Sequence, residues 1–77
     1  MAMAIRDAVG RRLFHWRKAS GLSQTACAER VGVQQGTWSE WEGGTRRPGP
    51  DKQAALELLT GGTIPASDWA EQAAGAA

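Results

Sequence analysis

Gln34, Gln35, Thr37, Ser39 and Glu40 form a polar, weakly charged stretch, followed at once by Thr45, Arg46 and Arg47. A glutamine carboxamide donates and accepts together, which matches the N6 and N7 edge of adenine. A carboxylate accepts from cytosine N4, and a threonine methyl fits against the thymine methyl. Arginines present a planar fork of donors suited to phosphate oxygens. This is the chemistry of reading a coded polyanion. No serine, histidine and acid set suggests catalysis, and no Gly-rich loop cradles a phosphate, so the reading is a non-enzyme without catalytic residues. The chain has one cysteine and one histidine, which excludes an intrachain disulfide and any His/Cys metal set. No cofactor is expected.

Base-reading side chains need a rigid rod to carry them into a groove, and the flanking residues supply one. Ser23 stands where an N-cap is needed for a first short helix, with Cys27, Ala28 and Val31 on one face. Gly32 offers the positive-φ stop of a tight turn. A second helix then runs from Gln34 to Glu42, burying Trp38 and Trp41 and ending at Gly43-Gly44. Residues 23–42 thus read as a helix-turn-helix, whose second helix contacts base edges through its first turns.

The run from Gly21-Leu22-Ser23-Gln24 through Ala28-Glu29-Arg30-Val31-Gly32 to Thr37-Trp38-Ser39-Glu40-Trp41-Glu42-Gly43-Gly44 and Arg46-Arg47-Pro48 resembles the phage Cro/CI repressor (XRE) family. Val9, Leu13 and Arg17 extend the likeness upstream, and Leu56 and Leu59 downstream. The resemblance implies a lambda-repressor-like fold and a transcriptional regulator, most simply a repressor, bound to a partly palindromic operator as a homodimer. It also implies that Arg17 and Gln24 anchor phosphates, and that Arg17 can pair with Glu42. The chain departs from the family pattern at Cys27, where leucine is commoner, and at Trp38, where isoleucine or valine is. Gln34 stands in place of the usual Ser or Thr cap, and Glu40 where a basic residue is frequent.

Among the residues themselves, Gln35 is the leading base reader. Gln34 could meet a base or a phosphate, and Thr37 a thymine methyl or a phosphate; Ser39 lies nearer the groove edge. Glu40 either accepts from cytosine or is a solvated charge that avoids phosphates. Gln24, at a helix start, is placed to hold an anion beside exposed N–H groups. Thr45, Arg46, Arg47 and the Gly44 amide would hold the backbone on the other side. Cys27 reads as core, His15 as a surface histidine, and Phe14 as either half-covered or part of an interface.

Outside this region, Ile5, Val9, Leu13 and Trp16 make one stripe of an amphipathic first helix. Gly10 weakens its interior by roughly 1 kcal/mol relative to alanine, so tertiary contact must hold it. Asp51 opens a fourth helix with Ala55, Leu56 and Leu59 inward and Leu58 partly off that face. Gly61-Gly62 stops it, and a last segment follows with Trp69, Ala66, Ala70 and Ala73 as an apolar ridge and residues 74–77 as a frayed end. The expectation is a single all-α domain over residues 1–77, a bundle of about five short helices. Residues 63–74 are the candidate dimerisation segment through Ile64 and Trp69, with Trp69 as a cap on the core the competing assignment.

Charge supports the same partner. The net charge is +1, yet residues 1–49 carry eight basic side chains against four acidic ones, and the rest carries Lys52 against four acids. A basic front and acidic rear suit double-stranded DNA on one side. At 77 residues a lone core is marginal, and a dimer adds stability as well as operator symmetry. No apolar run reaches membrane length, so a cytoplasmic protein without membrane or small-molecule partner is expected. The rival reading is an adaptor or antitoxin module that uses the same fold to bind a protein, favoured by the near-neutral total charge and by Glu40.

Overall fold

The computed structural model describes residues 2–69, with side chains from residue 9 onward. It is all-helical: α1 (Ala2–Ser20), α2 (Gln24–Val31), α3 (Gln35–Gly43) and α4 (Pro50–Leu59), with residues 66–69 starting a fifth helix. No strand occurs among the described residues. The first helix is long rather than short, at 19 residues. Residues 70–77, with Ala70, Ala73 and the frayed end, lie outside the described residues, as does the Ile5 side chain.

Local signals set the boundaries. The Ser23 hydroxyl accepts from the Ala26 amide at 3.0 Å and so caps α2. Gly32, at φ 75°, turns the chain, and its N–H closes on α2 carbonyls. The Lys52 ammonium, reaching from α4, donates to the Val31 carbonyl at 2.8 Å and satisfies the same helix end. Gln34 caps α3 only by its extended backbone, without a side-chain bond.

The core gathers Val9 and Leu13 from α1, Cys27, Ala28 and Val31 from α2, Trp38 and Trp41 from α3, Leu56 from α4, and Ile64 and Trp69. Helix α3 packs on both α1 and α2, and α4 packs on α2. The two α3 tryptophans are stacked at a tilt, 5.8 Å between ring centroids. Burying both on one side of α3 leaves Gln35, Gly36 and Glu40 exposed on the other.

Ile64 and Trp69 are fully buried by the chain's own helices, at 0% and 1% exposure. This corrects their assignment as dimer contacts, because neither side chain offers surface to a second copy. The segment is tied back by polar bonds. Thr60 Oγ1 donates to the Leu56 carbonyl at 2.9 Å and accepts from the Ile64 amide at 3.0 Å. The Arg12 guanidinium, on α1, donates to Asp68 at 2.6 Å and to the Thr63 carbonyl at 2.8 Å.

Gly10 has a reason invisible in the sequence. A Cβ there would stand 2.6 Å from the Trp41 carbonyl oxygen and 2.7 Å from that of Glu42, so α1 crosses α3 backbone to backbone. Alanine's better helix propensity favours Gly10→Ala by about 1 kcal/mol, but overlap with rigid backbone outweighs it. Chemical denaturation should show a net loss of roughly 1–3 kcal/mol. A gain in stability would mean that the two helices can separate at little cost.

Candidate nucleic-acid interface

Glu42 organises the site from beneath. Its carboxylate is buried, with 6% of the side chain exposed, and accepts from Arg17 Nε at 2.6 Å and Arg17 Nη2 at 3.3 Å. Trp38 Nε1 donates to it at 2.5 Å and Gln24 Nε2 at 3.0 Å. Burial alone would raise this carboxyl, but the donors from Arg17, Gln24 and Trp38 prevail and hold it below the ordinary carboxylate range. Arg17 is correspondingly held above its usual value by its bond to Glu42. The remaining Arg17 nitrogen donates to the Leu22 carbonyl at 2.9 Å.

Arg17 is therefore an internal strut. Its expected role as a phosphate anchor is corrected: the residue is buried, and each of its guanidinium nitrogens already donates to Glu42 or to the Leu22 carbonyl. The alternative that the resemblance implied, pairing with Glu42, is what the fold contains.

The same carboxylate fixes the sense of two amides. Glu42 can only accept when ionised, so Gln24 must turn its NH₂ inward. That leaves Gln24 Oε1 outward, where it accepts from Gln35 Nε2 at 2.6 Å. Gln35 in turn keeps Oε1 and one N–H free on an exposed helix start. An acceptor beside a donor is what the adenine edge requires.

The other candidates divide. Gln34 is exposed, while Thr37 and Ser39 are half-buried along α3. Glu40 is exposed, but its carboxylate lies 3.2 Å from Arg46 Nε, so the expected base acceptor and phosphate anchor face each other. Both side chains are about half exposed, and such a pair is worth roughly 0–1 kcal/mol, so DNA could redistribute them cheaply. Thr45 folds its amide and hydroxyl onto the Glu40 carbonyl, at 3.1 and 3.4 Å. The Gly44 amide closes α3 on the Trp41 carbonyl at 3.3 Å, which corrects its assignment as a spare phosphate donor. Arg47 is exposed with no ion pair among the described residues.

Two tight helices, a left-handed glycine between them and a polar outer face on the second are now in place. A family model described as a helix-turn-helix domain matches residues 8–63. The chain belongs to the helix-turn-helix domain family. Membership of this family points to a DNA-binding regulator. No curated protein and no solved structure gives a significant match.

Within this helix-turn-helix domain, Cys27 is fully buried and burial pushes its thiol up, away from reactivity. Phe14 is half-covered, with the Arg17 guanidinium 5.5 Å from its ring centre. No helix among the described residues is long and apolar enough to cross a membrane. Sequence reasoning found the helix-turn-helix but did not single out Glu42 as the shared acceptor beneath its second helix. The resemblance already paired Arg17 with Glu42; what was not expected is that Gln24 and Trp38 donate to the same carboxylate.

Proposed function

We propose that this domain is a sequence-specific transcriptional regulator of the Cro/CI type, most simply a repressor, which occupies a partly palindromic operator as a homodimer and performs no catalysis. The observation that carries the reading is the Glu42–Gln24–Gln35 chain of hydrogen bonds. It presents a carboxamide of fixed sense from the exposed start of α3. Gln34, Gln35, Thr37, Ser39 and Glu40 face the bases in this reading, and Gln24, Arg46 and Arg47 hold the backbone, with Thr45 nearby. With Ile64 and Trp69 in the core, Leu58, 84% exposed on α4, becomes the apolar candidate for the dimer contact.

Footprinting on DNA upstream of its own gene tests the whole proposal. A protected, roughly symmetric site, with sedimentation at the mass of a dimer, supports it. Absence of salt-sensitive binding to any duplex would instead favour the protein-binding adaptor or antitoxin, for which the exposed Glu40 carboxylate on the reading face speaks.

Arg46→Ala and Arg47→Ala should weaken binding to all sequences about equally. Removing one phosphate-binding arginine should reduce the slope of log affinity against log salt by about one, or by about two in a dimer. Arg46→Ala also leaves the Glu40 carboxylate without its counter-charge beside the phosphates, so its effect should be the larger of the two. Unchanged slopes would assign both arginines to solvent.

A further inference from the structure

We infer that Arg11, on α1, is a phosphate contact of this domain, gripping the same DNA strand that Gln24 touches; the inference rests on the DNA-binding reading above. Arg11, Phe14, Gln24, Ser39, Glu42 and Gly43 line a cleft of about 420 Å³. The backbone crossing at Gly10 places the next residue, Arg11, beside the end of α3. The cleft is continuous with the reading face, because Gln24 lines it and is bonded to Gln35.

Its charge is unbalanced in favour of an anion. The Glu42 carboxylate at its base is neutralised by Arg17, whose three guanidinium nitrogens each donate one bond within the chain. Arg11 is exposed and has no hydrogen bond or ion pair among the described residues. Gln24 retains a second N–H, and Ser39 a hydroxyl, as further donors toward the cleft. Gly43 contributes bare backbone, with nothing within 4 Å of where a Cβ would stand, so a strand can approach closely. The Phe14 ring offers an apolar wall for the adjoining sugar. An arginine, an amide and a hydroxyl around open backbone fit a phosphodiester, and they supply from α1 the grip that Arg17 does not.

The test is fluorescence anisotropy over a salt series with two labelled duplexes, one from upstream of the gene and one unrelated. Arg11→Ala should weaken both about equally and reduce the salt slope by about one per protomer, with unchanged thermal stability. Arg11→Lys should restore most of the slope, because it keeps the charge. An unchanged slope in Arg11→Ala, while the parent binds normally, overturns the Arg11 assignment and leaves the DNA reading intact. A loss confined to one duplex also overturns it, by making Arg11 a base reader. If the parent binds neither duplex with salt dependence, the DNA reading itself falls and the inference with it.

Discussion

Arg17→Met should remove about 3–5 kcal/mol of folding stability at neutral pH, because it leaves a buried carboxylate without its counter-charge. Domains of this size carry roughly 5–15 kcal/mol in total, and each kcal/mol moves the melting temperature by about 4–8 °C. The variant should therefore melt tens of degrees lower or fail to fold at room temperature. An exposed pair would give no such result; this one is 11% and 6% exposed on its two side chains. The pH dependence separates a charge effect from lost packing. In the parent, Glu42 is held below its unfolded value of about 4.3. Its contribution is complete above that value and is lost as pH falls through the depressed folded value. In Arg17→Met the sign reverses, since burial without a counter-charge pushes Glu42 up and protonation relieves the penalty. The stability gap between parent and variant should narrow on acidification to about pH 4. Arg17→Met combined with Glu42→Gln should recover much of the loss at pH 7. A gap that is independent of pH, or a double variant no better than the single, would show that Arg17 matters for its methylenes alone.

Elements defined by local chemistry were legible in the sequence. Ser23, Gly32 and Gly44 mark helix ends through a hydroxyl or a left-handed turn, and the spacing of Trp38 and Trp41 gives the inward face of α3. Features that depend on which surfaces meet were not. Gly10 reads as a weak point along one helix and becomes a requirement only when the α3 carbonyls lie against it. Ile64 and Trp69 look like spare apolar surface until Thr60 and Arg12 fold their segment onto the core. Arg17 is compatible with a phosphate or a carboxylate, and only its burial decides. Arg11 illustrates the converse. One surface arginine among several, it gains meaning from the cleft it shares with Gln24.

Gln35→Ala should relax preference at one base-pair position by roughly 1–3 kcal/mol, and in a symmetric dimer at a matched pair of positions. Fold stability should hardly change, because the side chain is exposed and opposite the two buried tryptophans. Non-specific, salt-sensitive binding should persist, since the proposed phosphate contacts at Gln24, Arg46 and Arg47 remain. The prediction is sharper than a generic loss of affinity because the amide sense is fixed by its partners. With Gln35 Nε2 bonded to Gln24, its free oxygen and second N–H offer one acceptor and one donor, which selects adenine over guanine, whose edge offers two acceptors. Competition binding with each base substituted in turn across the footprinted site would read this directly. The parent should prefer adenine at the Gln35 position, and the variant should accept all four bases more evenly. A uniform fall on every sequence would make Gln35 a phosphate contact. An unaltered profile on every duplex would mean that this face of α3 does not enter a groove, leaving Glu40 and its neighbours as a surface for a protein partner.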